Sequence, residues 1–239
     1  MSLLIYCIME DGMTRPLPVI RGVNHKPVYP VAGHGLQAMV SRYDQGRGID
    51  LAGLMAFRDV VWACHELATV IPMRFGSVLP DGQGVLSHLM DRRKAYEKLL
   101  KHFKGCVEMG IRVLQGEARA PVKGLSGPSD PDSGRSFLIS RKACYDSRER
   151  SAAEVRELAD QCRRQFSGLY KSSKVEHGPV LSLYFLTFKG SVEAFQQTFK
   201  GMMSSSADKM LLSGPWPPYN FAADEDLGSV SGSFESQSR

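Results

Sequence analysis

No apolar run in this 239-residue chain approaches the ~20 residues that a membrane-crossing helix needs. Cysteine is scarce as well: five are present, an odd number, and no two are spaced as C-x-x-C. That removes a disulfide framework and a thiolate zinc knuckle, and Cys7, Cys64 and Cys162 fall on apolar faces where buried free thiols of a reducing compartment belong. Charge of one sign is also missing. The net charge of +5 is interspersed and forms no nucleic-acid stripe. Its densest cluster, Arg92-Arg93-Lys94, lies between Asp91 and Glu97 as a solvated helix face. The apolar start, Ser2 to Met9, has no preceding basic region and runs into Glu10-Asp11. It reads as a first strand and not as a secretory leader, with the cytoplasm as the expected compartment.

Catalytic signatures are equally absent. His65-Glu66-Leu67-Ala68-Thr69 opens like the zinc motif H-E-x-x-H, but Thr69 stands where the second imidazole is required. Cys64 and His65 are helical neighbours that project about 100° apart, which reads as a core cysteine beside a surface histidine and not as a thiol–imidazole pair. The glycines at 46/48 and 82/84 carry neither the Lys-Ser/Thr of a P-loop nor a dinucleotide fingerprint. His25, His34, His88, His102 and His177 have no metal-ligand spacing. No catalytic constellation, metal site or cofactor is expected.

What is present reads as an α+β chain. Leu3–Met9, Leu36–Tyr43, Val70–Leu79 and Cys106–Leu114 have strand character, with a further short strand at Pro27–Val31. In the last long strand, Val107, Met109, Ile111 and Val113 face one way. Leu54, Phe57, Val61, Cys64 and Ala68 recur at helical spacing. A second amphipathic helix aligns Leu86, Leu89, Tyr96, Leu99, Leu100 and Phe103. Residues 1–115 thus form one α+β domain, with helices on one face of a mainly antiparallel sheet. Residues 116–134 are rich in Gly, Pro, Ser and Asp and read as a flexible linker. A second α+β domain spans 135–222: a short strand Arg135–Ser140, a long helix Ser151–Tyr170, a strand Val180–Phe188, a helix Val192–Met203 and a brief strand Lys209–Leu212. The polar tail 223–239 has too little apolar surface to fold.

Two segments stand out. In Ile71-Pro72-Met73-Arg74-Phe75-Gly76 an extended backbone points Ile71, Met73 and Phe75 to one face, and Pro72 demands a strand edge or start. Arg74 amid apolar neighbours must reach solvent, a carboxylate such as Glu108, or a partner. Ser213-Gly214-Pro215-Trp216-Pro217-Pro218-Tyr219-Asn220-Phe221 packs three prolines and three aromatics into a stiff extended strip. Such a strip loses little entropy on docking, whether it staples the chain end to the core or meets a partner.

Together with Ser133-Gly134-Arg135-Ser136-Phe137-Leu138, these segments in this order resemble the GvpL/GvpF family of gas vesicle proteins, over residues 2–222. Ser136-Phe137 departs from the family pattern, where a small residue is often followed by tyrosine. The resemblance implies two domains, the N-terminal one a modified ferredoxin-like fold and the C-terminal one α+β. It also implies a non-enzymatic role in forming gas vesicles, the buoyancy compartments of aquatic microbes. The implied location is the gas vesicle or the cytoplasm, and the implied partners are the shell protein GvpA and other minor vesicle proteins, without nucleic acid or lipid membrane. Arg74, Phe75, Trp216, Tyr219 and Phe221 are the residues expected to meet such a partner. The rival class, a small-ligand sensor or enzyme on a ferredoxin-like sheet, would need a polar pocket with convergent titratable groups.

Overall fold

A computed structural model describes residues 2–12, 20–44, 50–114, 156–176, 180–205 and 209–222. The expected linker, the short strand at 135–140, the Ser133–Leu138 segment and the tail lie outside the described residues. The chain divides into two compact units, Met1–Glu108 with Gly214–Arg239, and Met109–Ser213. Its architecture is α+β.

The first unit is built on β1 (Leu3–Glu10), whose unbroken apolar run is buried from Leu3 through Met9. A strand covered on both faces needs such a run in place of alternation. On one edge β1 pairs antiparallel with β3 (Leu36–Arg42), and β3 pairs in turn with β2 (Tyr29–Gly33). The other edge of β1 takes two short strands, β4 (Ile71–Pro72) and β5 (Val78–Leu79), where one strand from Val70 to Leu79 was expected. The interruption is a turn. The Ser77 N–H and hydroxyl both donate to the Arg74 carbonyl, and Gly76 at φ +89° supplies the left-handed position that the turn requires. Pro72 sits on the sheet edge, as its missing N–H demands.

Helix α1 (Leu51–Leu67) starts at Asp50, whose side chain accepts from the Gly53 N–H. Its inward face is Phe57, Val60, Val61 and Cys64, packed with Leu4, Tyr6, Cys7, Met9 and Met39. Leu54, expected on that face, is exposed. The second amphipathic run is two helices, α2 (Gly82–Asp91) and α3 (Arg93–Phe103), because Arg92 leaves helical geometry at φ −108°, ψ 9°. Strand β6 (Cys106–Leu114) follows.

In the second unit the helix seen over residues 156–165 (α4) stops short of the expected Tyr170. Gly168 at φ +82° turns the chain out, and Tyr170 opens β7 (Tyr170–Glu176), a strand that the periodicity of the sequence hides. Next come β8 (Leu181–Phe188), α5 (Val192–Ser205) and β9 (Lys209–Trp216). The sheet order is β7-β8-β6-β9. The core of this unit is an aromatic cluster: Phe166 stacks on Phe195 at 4.1 Å, and Phe185 tilts against both.

Candidate functional site

The proline-rich segment divides into two conformations. Through Trp216 it is extended, as expected, and forms the edge strand β9, where a proline costs no ladder bond. Beyond that the expected extended strip gives way to a helical turn, α6 (Tyr219–Ala222), in which the Ala222 N–H donates to the Pro218 carbonyl. Prolines at the start of a helix lose nothing, since the first turn has no partner for their N–H. Pro217 and Pro218 are buried, Tyr219 and Asn220 are half-buried, and Phe221 is buried.

Two contacts fix this turn in the first unit. Glu108, buried, accepts from the Asn220 backbone N–H at 2.8 Å and from its Nδ2 at 2.5 Å. Tyr219 packs on the core cluster of α1 and β1, and α6 lies against β4. Burial pushes the Tyr219 phenol up, and the neighbouring Cys7 adds to the effect. Cys7 itself is pushed well up, first by its hydrogen bond with the Cys64 thiol and then by burial. Burial and the Cys64 hydrogen bond thus keep the Cys7 thiol beneath the turn protonated.

The five residues read from the sequence separate accordingly. Ile71–Gly76 and Tyr219–Phe221 are brought to adjoining elements, but Phe75 turns inward onto Phe57, edge to face at 5.2 Å, and Phe221 is sealed. Tyr219 shares the same core. Arg74 and Trp216 face solvent. The carboxylate offered to Arg74 by the sequence, Glu108, is bound to Asn220. His65, expected at the surface, is buried.

Trp216 has a companion that sequence reading did not single out: its ring meets Trp62 of α1 edge to face, with centroids 5.5 Å apart. The Trp62 indole N–H donates to Glu66 at 3.1 Å. Leu51, Leu54 and Met55, also outward on α1, are exposed. A second apolar period at 51, 55 and 62 was the available signal, masked by the stronger inward one. Among the described residues no three His, Cys, Asp or Glu side chains converge on a metal-sized site, and no helix is long and apolar enough to cross a membrane.

Comparison with known proteins gives this geometry a context. Two solved structures share the fold across 92% of the chain: a GvpF from Anabaena, with a TM-score of 0.74, 15% identity and 95% of its own length covered, and a GvpF from Microcystis aeruginosa, with 0.73, 14% and 98%. Gas vesicle protein F of a Streptomyces species is 24% identical over 82% of this chain and 88% of its own. Gas vesicle protein L1 of Halobacterium salinarum is 22% identical over 92% and 90%. The family model described as gas vesicle synthesis protein GvpL/GvpF matches residues 2–223. With a family match over nearly its whole length, the chain belongs to the GvpL/GvpF family of gas vesicle synthesis proteins.

Proposed function

We propose that this protein is a non-enzymatic accessory or minor structural component of gas vesicle formation, binding the shell protein GvpA and helping to nucleate or assemble the shell. Other minor vesicle proteins are its further partners, and its place is the cytoplasm and the vesicle. The observation that carries the reading is the pair Trp62–Trp216: an aromatic contact left half open on a unit whose core is otherwise closed. An assembling shell subunit must bury apolar surface, and it aggregates unless something covers that surface first. A soluble chain that holds large apolar side chains outward supplies such a cover. Arg74 and Trp216 are the solvent-facing members of the sequence-derived set. Phe75, Tyr219 and Phe221 act by holding their elements in place.

The test is capture of co-expressed shell protein by the tagged chain. Recovery of shell protein with the wild type, reduced in a folded Trp216→Ala variant, supports the reading. Absence of shell protein from the wild-type capture, with the other vesicle proteins present, overturns it.

A further inference from the structure

Two of the buried thiols meet in the core of the first unit. Cys7 on β1 and Cys64 on α1 belong to the same buried cluster, and their thiols are hydrogen-bonded to each other. A bulge in β1 makes the meeting possible. Ile5 stands opposite Val40 and Cys7 opposite Met39, so Tyr6 is one residue too many for the β3 ladder. Alternation restarts out of step: Leu4 and Tyr6 before the shift, and Cys7 and Met9 after it, all pack in the α1 cluster. In an unbulged strand Cys7 would share the opposite face with Leu3 and Ile5. Two other cysteines are placed apart from this pair: Cys106 donates to the Lys104 carbonyl, and Cys162 lies in the core of the second unit. The pair is covered by the chain-end turn. Tyr219 of α6 packs on the cluster that holds both sulfurs, and α6 lies against β4, whose Pro72 is the strand partner of Cys7. While α6 is seated the site is silent, because Cys7 is protonated and both sulfurs are out of reach of dissolved reagents.

We propose that Cys7 and Cys64 are a latent redox pair, which a small-molecule disulfide closes into a protein disulfide when α6 lifts away. The turn is four residues long and is held by the Glu108–Asn220 contacts, so a local opening uncovers the sulfurs without unfolding the unit. Once uncovered, one thiol of the pair loses its proton and attacks the S–S bond of the reagent. A mixed disulfide forms and one reagent thiol leaves. The second protein thiol, deprotonated in turn, attacks the protein sulfur of that mixed disulfide and expels the other reagent thiol. The pair gives up two electrons and two protons, and both end on the two reagent thiols. The product joins the first strand of the unit to its first helix. In a reducing compartment the pair rests as thiols, and the link forms only under oxidative challenge.

The test uses the whole chain, freed of reductant, with oxidised glutathione as the probe. After quenching with an alkylating agent, peptide mass spectrometry is expected to find Cys7 joined to Cys64. Asn220→Ala removes one donor that holds α6 and leaves both sulfurs in place. It is expected to form the same link about tenfold faster, while Cys106 and Cys162 react at their wild-type rates. Glutathione on Cys7 or Cys64, or a link from either to Cys144, with no link between the two, overturns the inference. So does a pair that stays unreacted in wild type and Asn220→Ala alike, and so do equal rates in the two proteins. Acceleration at Cys106 and Cys162 as large as at the pair also overturns it, because the thiols are then reached by general unfolding and not by the lifting of α6.

Discussion

Glu108 and Asn220 stand 112 residues apart in the chain, and Asn220 donates twice to the same carboxylate, once from its backbone N–H and once from its side chain. The carboxylate is buried, so each donor replaces water that it cannot reach. Asn220→Ala removes the side-chain donor and keeps the backbone one. A hydrogen bond to a charged group contributes about 1.5–3 kcal/mol, so the urea midpoint falls by that free energy divided by the slope, which is unchanged. Asn220→Asp sets one carboxylate against another and costs more. Equal midpoints for Asn220→Ala and wild type would show that the side-chain bond contributes nothing.

Tyr6 carries a second buried polar knot. Its hydroxyl accepts from the Val23 N–H at 2.9 Å and shares a hydrogen bond with Ser41 at 2.8 Å. Gly22 is what makes room, since a Cβ there would collide with that hydroxyl. Tyr6→Phe strands both partners and costs about 1–3 kcal/mol. Gly22→Ala destabilises the same unit by overpacking, again by about 1–3 kcal/mol. Chemical denaturation of the two single variants checks both, and a wild-type midpoint for Gly22→Ala would mean that the loop moves freely away.

Some of this was legible in the residues and some was not. The apolar run of β1, the alternation of β6 and the inward face of α1 carry their burial in plain period. The break at Arg92 does not, because Leu86 through Phe103 keep one amphipathic period across it. β7 is hidden because Tyr170–Glu176 is a polar strand at a sheet edge, where little burial is required and no alternation is imposed. At the candidate site the stiffness of the proline segment was readable. The fold decides whether an aromatic faces in or out: Trp216 and Phe221 have similar apolar content, yet only the helical turn after Pro218 sends Phe221 inward.

Alkali is expected to weaken the protein through a buried thiol. Burial pushes the Cys162 thiol up to about 11, from an ordinary value of 9.0. Below pH 9.0 the thiol is protonated in both states, so its contribution is constant. Between 9.0 and about 11 only the unfolded chain releases the proton, so stability falls as pH rises through that window. Cys162→Ala lowers stability at neutral pH by leaving a small cavity, but flattens the decline. Denaturation midpoints taken across the window measure that slope, and an unchanged slope in the variant would count against the burial of this thiol.

On the acid side His88 acts in the opposite sense. Burial, reinforced by Arg92, lowers its pKa below 6.5, and its Nε2 lies 2.6 Å from the Tyr96 hydroxyl. The neutral ring can accept a hydrogen bond from that hydroxyl; the charged ring cannot. As pH falls through 6.5 the unfolded chain gains a proton that the folded chain refuses, so stability falls with it. An NMR titration of His88 is expected to show a midpoint under 6.5, and His88→Gln to weaken the pH dependence between about pH 7 and 5. A midpoint above 6.5 would contradict the buried setting.

The return of residues 214–222 to the first unit has a consequence for how the protein is made. The unit that begins at the N-terminus lacks Tyr219, Asn220 and Phe221 until everything from Met109 to Ser213 has been synthesised. Translation proceeds at about 5–20 residues per second, so this unit starts before the unit inserted into it and is completed after it. Trp216 joins Trp62 only after that interval. The apolar face of α1 acquires its far end only after residues 109–213 have been made, and a product truncated before Trp216 never acquires it.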